Sequence, residues 1–167
     1  SSTLVMFLVS VGIGLLCGML VGTVITQGKV LPIIATLGLT NIFRGATYIV
    51  SGSRWVSAYQ FQSAFKQFAQ TNTLSFGLVN NLVFITIVCY AVFFVVMKWT
   101  RFGRRIYAVG SNPEAAAVSG ININMIKFAV YSMAGAFAGL TGAMYTALYA
   151  SAQSDMGMGM EMDVIAA

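Results

Sequence analysis

The residues able to do chemistry in this 167-residue chain are few: no histidine, four acids (Glu114, Asp155, Glu161, Asp163) and nine basic residues, five of which fall between Lys98 and Lys127. No histidine is present to pair with a Ser or Cys as its base. Acid–base and nucleophilic catalysis both need such pairs, so the chain does not read as an enzyme. The phosphate-cradling pattern Gly-x-x-x-x-Gly-Lys-Ser/Thr is missing too, because Gly28-Lys29 runs into Val30 and no Gly precedes it at the right distance. Any nucleotide this system uses must be held by another polypeptide. Cys17 and Cys89 sit in separate apolar runs, which signals neither a zinc site nor a disulfide framework. Met156, Met158, Met160 and Met162 alternate along the tail and are soft ligands suited to Cu(I). Without His or Cys beside them they read as flexible apolar filler, with no metal or other cofactor implied.

What remains is a polar interruption, Lys98-Trp-Thr-Arg-Phe-Gly-Arg-Arg-Ile-Tyr-Ala-Val-Gly-Ser-Asn-Pro-Glu-Ala-Ala-Ala-Val-Ser-Gly-Ile. Within it, Ser111 or Asn112 can cap a helix whose first position is Pro113 and whose first turn carries Glu114. A cap oxygen, a fixed proline φ and an acid matched to the helix dipole all agree. The helix should run through Ala115, Ala116, Ala117 and Val118 and stop at Gly120, where a left-handed residue costs little. Barely two turns long, it is marginal alone and needs something to pack on. Its small-residue face suits a knob for a partner protein. The plainer alternative is a capped helix that only joins its neighbours.

The elements that position this connector are set by composition. Hydrophobic residues make up 58% of the chain and charged ones 8%, about a third of the soluble norm of ~25%. A soluble bundle would need charged outer faces that are not there. Four apolar runs, Thr3–Thr26, Val30–Val50, Phe76–Met97 and Ile126–Ala150, each approach or exceed the ~20 residues that cross a hydrocarbon core. They lack the two-residue alternation of barrel strands, so the expected fold is all-α, a polytopic transmembrane helical bundle. Basic residues are retained on the cytoplasmic side. That places the loop 98–125 inside with the turn Gln27-Gly28-Lys29, and the loop 51–75 outside. Topology then accounts for the net charge of +5 without nucleic acid.

Gly14, Gly18 and Gly22 recur every four residues, and Gly135 and Gly139 repeat the device with Ala134, Ala138 and Gly142. Such stripes let helices approach closely. Arg44 interrupts the second run near its outer end, where it either snorkels to the interface or faces a polar cavity. Trp55, Tyr59, Phe61, Phe65 and Phe68 read as an amphipathic segment in contact with membrane lipid at the outer surface, or as a landing surface for an extracytoplasmic partner.

The run from Arg101 to Ile121, together with Val30-Leu-Pro-Ile-Ile-Ala-Thr-Leu-Gly, the downstream Arg44-Gly45, and Gly157-Met-Gly-Met-Glu-Met-Asp-Val-Ile-Ala-Ala, resembles permeases of bacterial ABC importers of the ribose type. The resemblance covers nearly everything from Val30 onward. It implies that residues 1–167, which begin without Met and stop in an apolar run, are a fragment of about four spans from a roughly ten-span permease of the bacterial plasma (inner) membrane. It also implies a cytoplasmic ATP-binding subunit, a periplasmic or extracellular substrate-binding protein and a second permease subunit, identical or not. By the same resemblance Asn112, Pro113, Glu114, Ala115, Ala116 and Gly120 form the start of a Glu-Ala-Ala coupling loop whose Ile-x-Leu-Pro ending is absent here. Arg101, Arg104 and Arg105 would hold that handle through ion pairs, unless topology alone retains them. Arg44, Gly157, Gly159 and Glu161 are candidates for the translocation path, the glycines as a bend ahead of an apolar run. A monosaccharide is the expected solute. The alternatives are a branched-chain amino-acid or nucleoside permease, or a non-transporting membrane scaffold or channel subunit.

Overall fold

The structure, a computed structural model, describes residues 2–52, 54, 81–152, 156–160 and 166. The aromatic outer segment from Trp55 to Phe68 and Glu161 lie outside the described residues. Among the described residues six helices follow one another: α1 (Ser2–Gln27), α2 (Pro32–Ser51), α3 (Asn81–Trp99), α4 (Arg101–Ser111), α5 (Pro113–Val118) and α6 (Ile123–Tyr149). Four of them, α1, α2, α3 and α6, are long and apolar enough to cross a membrane. The chain is therefore an all-α, polytopic membrane bundle as its composition requires. At ~1.5 Å per residue, α1 and α6 reach roughly 40 Å and exceed a hydrocarbon core of ~30 Å, so they tilt or project beyond it.

Boundaries depart from the expected ones where capping chemistry intervenes. α2 begins at Pro32 rather than Val30, because proline has no N–H to lose at a first helical turn. α6 begins three residues before Ile126, because the Asn122 side chain accepts a hydrogen bond from the Met125 N–H at 3.1 Å. Inside the spans, hydroxyl donors return to their own helix. Thr36, Thr47, Thr86, Ser132 and Thr141 each donate to the carbonyl four residues back at 2.8–2.9 Å. Those five hydroxyls are thereby satisfied where water is excluded.

The two glycine stripes meet each other. A Cβ on Gly14 would lie 2.8 Å from the Gly139 Cα, one on Gly18 would lie 2.6 Å from the Tyr131 carbonyl oxygen, and one on Gly22 would lie 3.0 Å from the Phe128 ring. As residue number rises on α1 it falls on α6, so the helices run antiparallel with backbones in contact. Gly142 is off this seam, with open space around it.

α3 stands across from α6 at greater distance. Leu82 packs near Ala147 at one end, and Phe93 meets Phe137 edge-to-face with ring centroids 5.6 Å apart. This pairing is also antiparallel. Together the two pairings gather Lys29, Lys98, Arg101, Arg104, Arg105 and Lys127 at one end of the bundle, with α4 and α5.

Candidate functional site: the capped elbow at the basic end

The polar interruption folds as two helices rather than a loop with one short helix. α4 opens at Thr100, whose Oγ1 accepts the Gly103 N–H at 3.2 Å. Phe102, Ile106 and Val109 recur at helical spacing and form its inner face. Arg101, Arg104, Arg105 and Tyr107 are exposed. Gly103 marks a sharp corner, since a Cβ there would stand 2.6 Å from the Met97 Cα. α4 thus turns back against the end of α3 instead of prolonging it, and Arg104 reaches across to the Trp99 carbonyl at 3.5 Å. Lys98 lies over the Phe94 ring, 5.4 Å from its centroid.

α5 has the expected caps at both ends. Asn112, not Ser111, is its N-cap, and Oδ1 accepts the N–H groups of Glu114 and Ala115 at 3.0 and 3.1 Å. Pro113 follows at the first position. At the other end Gly120 has φ 78°, and its N–H bonds to the Ala117 carbonyl while the Ile121 N–H bonds to the Ala116 carbonyl, both at 3.0 Å. These two bonds form a Schellman stop. Ala116, only 4% exposed, seats the helix against Val109 of α4 and Ile126 of α6. With ~100° per residue, Glu114 and Val118 fall on the side opposite Ala116. Val118 is 91% exposed, an apolar side chain held outward on a tethered peg.

The structure therefore brings Asn112, Pro113, Glu114, Ala115, Ala116 and Gly120 into one capped unit, with Arg101, Arg104 and Arg105 on the adjoining helix. Two contributors lack any mark in the motif itself. Val118 is found only by counting four residues from Glu114 onto the face opposite Ala116. The seat is found only by extending the 3.6-residue pattern of α4 through its arginines.

The path candidates lie on different elements. Arg44 is half-buried on α2, beside Phe43. Gly157 and Gly159 have φ 82° and 87° in a turn beyond α6, backbone that favours glycine. Among the described residues, two of the hollows along the spans bear on a solute path. One, about 590 Å³, separates α3 from α6 between Phe93, Met97, Met133, Phe137 and Met144, and Ile106 of α4 lines it as well. The other, about 290 Å³, lies where Phe43 of α2 approaches Gly14, Cys17, Tyr131 and Ala138. The larger is walled by apolar side chains, and unpaired sugar hydroxyls buried there would cost several kcal/mol. It suits packed helix or acyl chain.

Membrane-length helices joined by a capped elbow define a polytopic membrane protein. The whole chain, residues 1–167, matches the family described as branched-chain amino acid transport system / permease component, and it belongs to that family. It is thus a multi-pass protein of the bacterial inner membrane. It is similar to the ribose import permease protein of Bacillus subtilis, 35% identical over 87% of this chain and 44% of the relative. With the ribose import permease protein of Escherichia coli K12 the identity is 34%, over 99% of this chain and 51% of the relative. With the autoinducer 2 import system permease protein of Escherichia coli SMS-3-5 it is 31%, over 93% and 47%. The chain spans about half the length of these curated relatives. No solved structure matches it.

Proposed function

We propose that this chain is part of the permease subunit of a bacterial ABC importer for a monosaccharide, and that α5 couples it to a separate ATP-binding subunit in the cytoplasm. The reading is supported by the relatives, whose names specify ribose and autoinducer 2 import, and by the gathering of six basic residues at the elbow end, the end retained inside. The observation that carries it is the peg itself. A six-residue helix tied at both termini, anchored by a buried Ala116 and presenting Glu114 and Val118 outward, moves as a body when pushed. ATP-driven closure of the partner would displace α5 and, through Val109 and Ile126, tilt α4 and α6. Such coupling requires the peg to bind the two states of the ATPase with different affinity. Arg101, Arg104 and Arg105 stand on α4, the helix against which the peg is seated. Solute would arrive from a substrate-binding protein, cross between this permease and a second one, and pass near Arg44, Glu161 and the bend at Gly157 and Gly159.

In the full-length importer, Glu114→Lys and Gly120→Pro are expected to leave membrane insertion intact while ATP hydrolysis loses its link to uptake. Uptake at the unaltered rate in both variants would refute the peg. A second solute class has one observation in its favour, the family's own description as branched-chain amino acid permease. Labelled leucine and labelled ribose offered to the same reconstituted importer decide between them.

A further inference from the structure

The three arginines of α4 need a partner that the coupling role of α5 does not supply. Spaced at ~100° per residue, Arg101, Arg104 and Arg105 fall within an arc of about 100° that adjoins, without overlapping, the arc of Phe102, Ile106 and Val109. All three are exposed, and so are Trp99 at 69% and Tyr107 at 64%. Among the described residues the one acid is Glu114, on the outward face of the neighbouring helix. The basic face thus carries a surplus of cations. Its place is set by the chain: one residue, Thr100, separates α4 from the last residue of a membrane span, and the Gly103 corner folds α4 back onto that span's end. The face therefore starts within one turn of the bilayer boundary, flanked by an exposed Trp of the kind that settles among headgroups.

We infer that the basic face of α4, with Trp99 and Lys98, binds the phosphate headgroups of anionic phospholipids in the adjoining leaflet. Guanidinium forks match phosphate oxygens in pairs, and a basic segment beside a span draws anionic lipid within a Debye length. The contact fixes the height of α4 on the membrane, so that α5 is presented from a braced platform. This inference rests on the orientation proposed above and not on the ATPase docking at α5.

The test uses the full-length permease without its ATPase, reconstituted in phosphatidylcholine carrying trace spin-labelled phosphatidylglycerol or spin-labelled phosphatidylcholine. The preference for the anionic label at the protein surface is read by electron paramagnetic resonance. Each of Arg101→Gln, Arg104→Gln and Arg105→Gln is expected to lower that preference about fivefold at low salt, until the two labels behave alike, and added salt should do the same. The corresponding set of lysine replacements keeps the charge and is expected to keep most of the preference. An unchanged preference in the triple glutamine variant overturns the inference, and so does its loss in the lysine set as well. If the glutamine set instead weakens ATPase binding in pure phosphatidylcholine, with no effect on lipid selectivity, the arginines belong to the ATPase. Failure of the Glu114 and Gly120 variants to uncouple transport, with lipid selectivity intact, would sink the peg alone.

Discussion

Gly18→Ala adds one methyl group on the seam where α1 and α6 run backbone to backbone, and the structure sets what that methyl meets. It would come 2.6 Å from the Tyr131 carbonyl oxygen and about 3 Å from the Gly135 and Ser132 Cα atoms, where ordinary contact begins at 3.4 Å. Those neighbours are backbone and cannot rotate aside, so the helices must part by nearly an ångström. A gap of 0.5–1 Å forfeits a quarter to a half of the dispersion attraction along the seam. Overpacking of this kind costs about 1–3 kcal/mol. Gly12→Ala is the control on the same helix, because its methyl meets nothing within 4 Å and gains the ~0.5–1 kcal/mol of helix propensity common to both changes. The assay is thermal denaturation of the purified full-length permease in detergent, with Gly142→Ala as a matching control on α6. Gly18→Ala should melt clearly below wild type while both controls match or exceed it. Equal melting of Gly18→Ala and Gly12→Ala would refute the backbone-contact seam.

Asn112→Ala removes the acceptor for two amides at the start of α5, a loss of about 1 kcal/mol. The Glu114 and Ala115 amides should then exchange with solvent about fivefold faster, with Asn112→Asp restoring protection. Gly103→Val puts carbon into the Met97 backbone and should destabilise the elbow by about 1–3 kcal/mol or prevent its folding. Gly110→Ala, with open space around it, should not; yield and melting temperature of the two variants make the comparison.

How legible each part was follows from how local its cause is. The glycine stripes show in the sequence because a four-residue repeat is one face of a helix, and α5 shows because its cap, proline, acid and terminating glycine lie within nine residues. α4 is hidden for the opposite reason. Its apolar face has only Phe102, Ile106 and Val109, set among three arginines and two glycines, and such a face earns a helix only where Ile126 and Ala116 are present to cover it. Which stripe meets which, and in which direction, depends on contacts more than a hundred residues apart. Arg44 and the Gly157 turn stand out in the sequence by residue type alone, and the sequence does not join them.

The packing also predicts which seam moves. α1 and α6 touch backbone to backbone over several turns, whereas α3 and α6 enclose the groove of about 590 Å³ and meet through side chains such as Phe93 and Phe137. Separating the first pair sacrifices close packing along its length, and separating the second gives up a few side-chain contacts. The elbow is bonded to the end of α3 through the Thr100 N–H on the Val96 carbonyl and Arg104 on the Trp99 carbonyl, and is seated on α6 through Ile126, so a push on α5 bears on the weaker of the two seams. α1 and α6 should therefore travel as one body while α3 shifts against them. In a permease with all its native cysteines, Cys17 and Cys89 among them, replaced by alanine, a short bis-methanethiosulfonate linker between Phe7→Cys and Met144→Cys is expected to leave uptake running. The same linker between Phe93→Cys and Phe137→Cys is expected to stop it. If the α1–α6 linker blocks uptake and the α3–α6 linker spares it, the moving seam has been assigned to the wrong pair of helices.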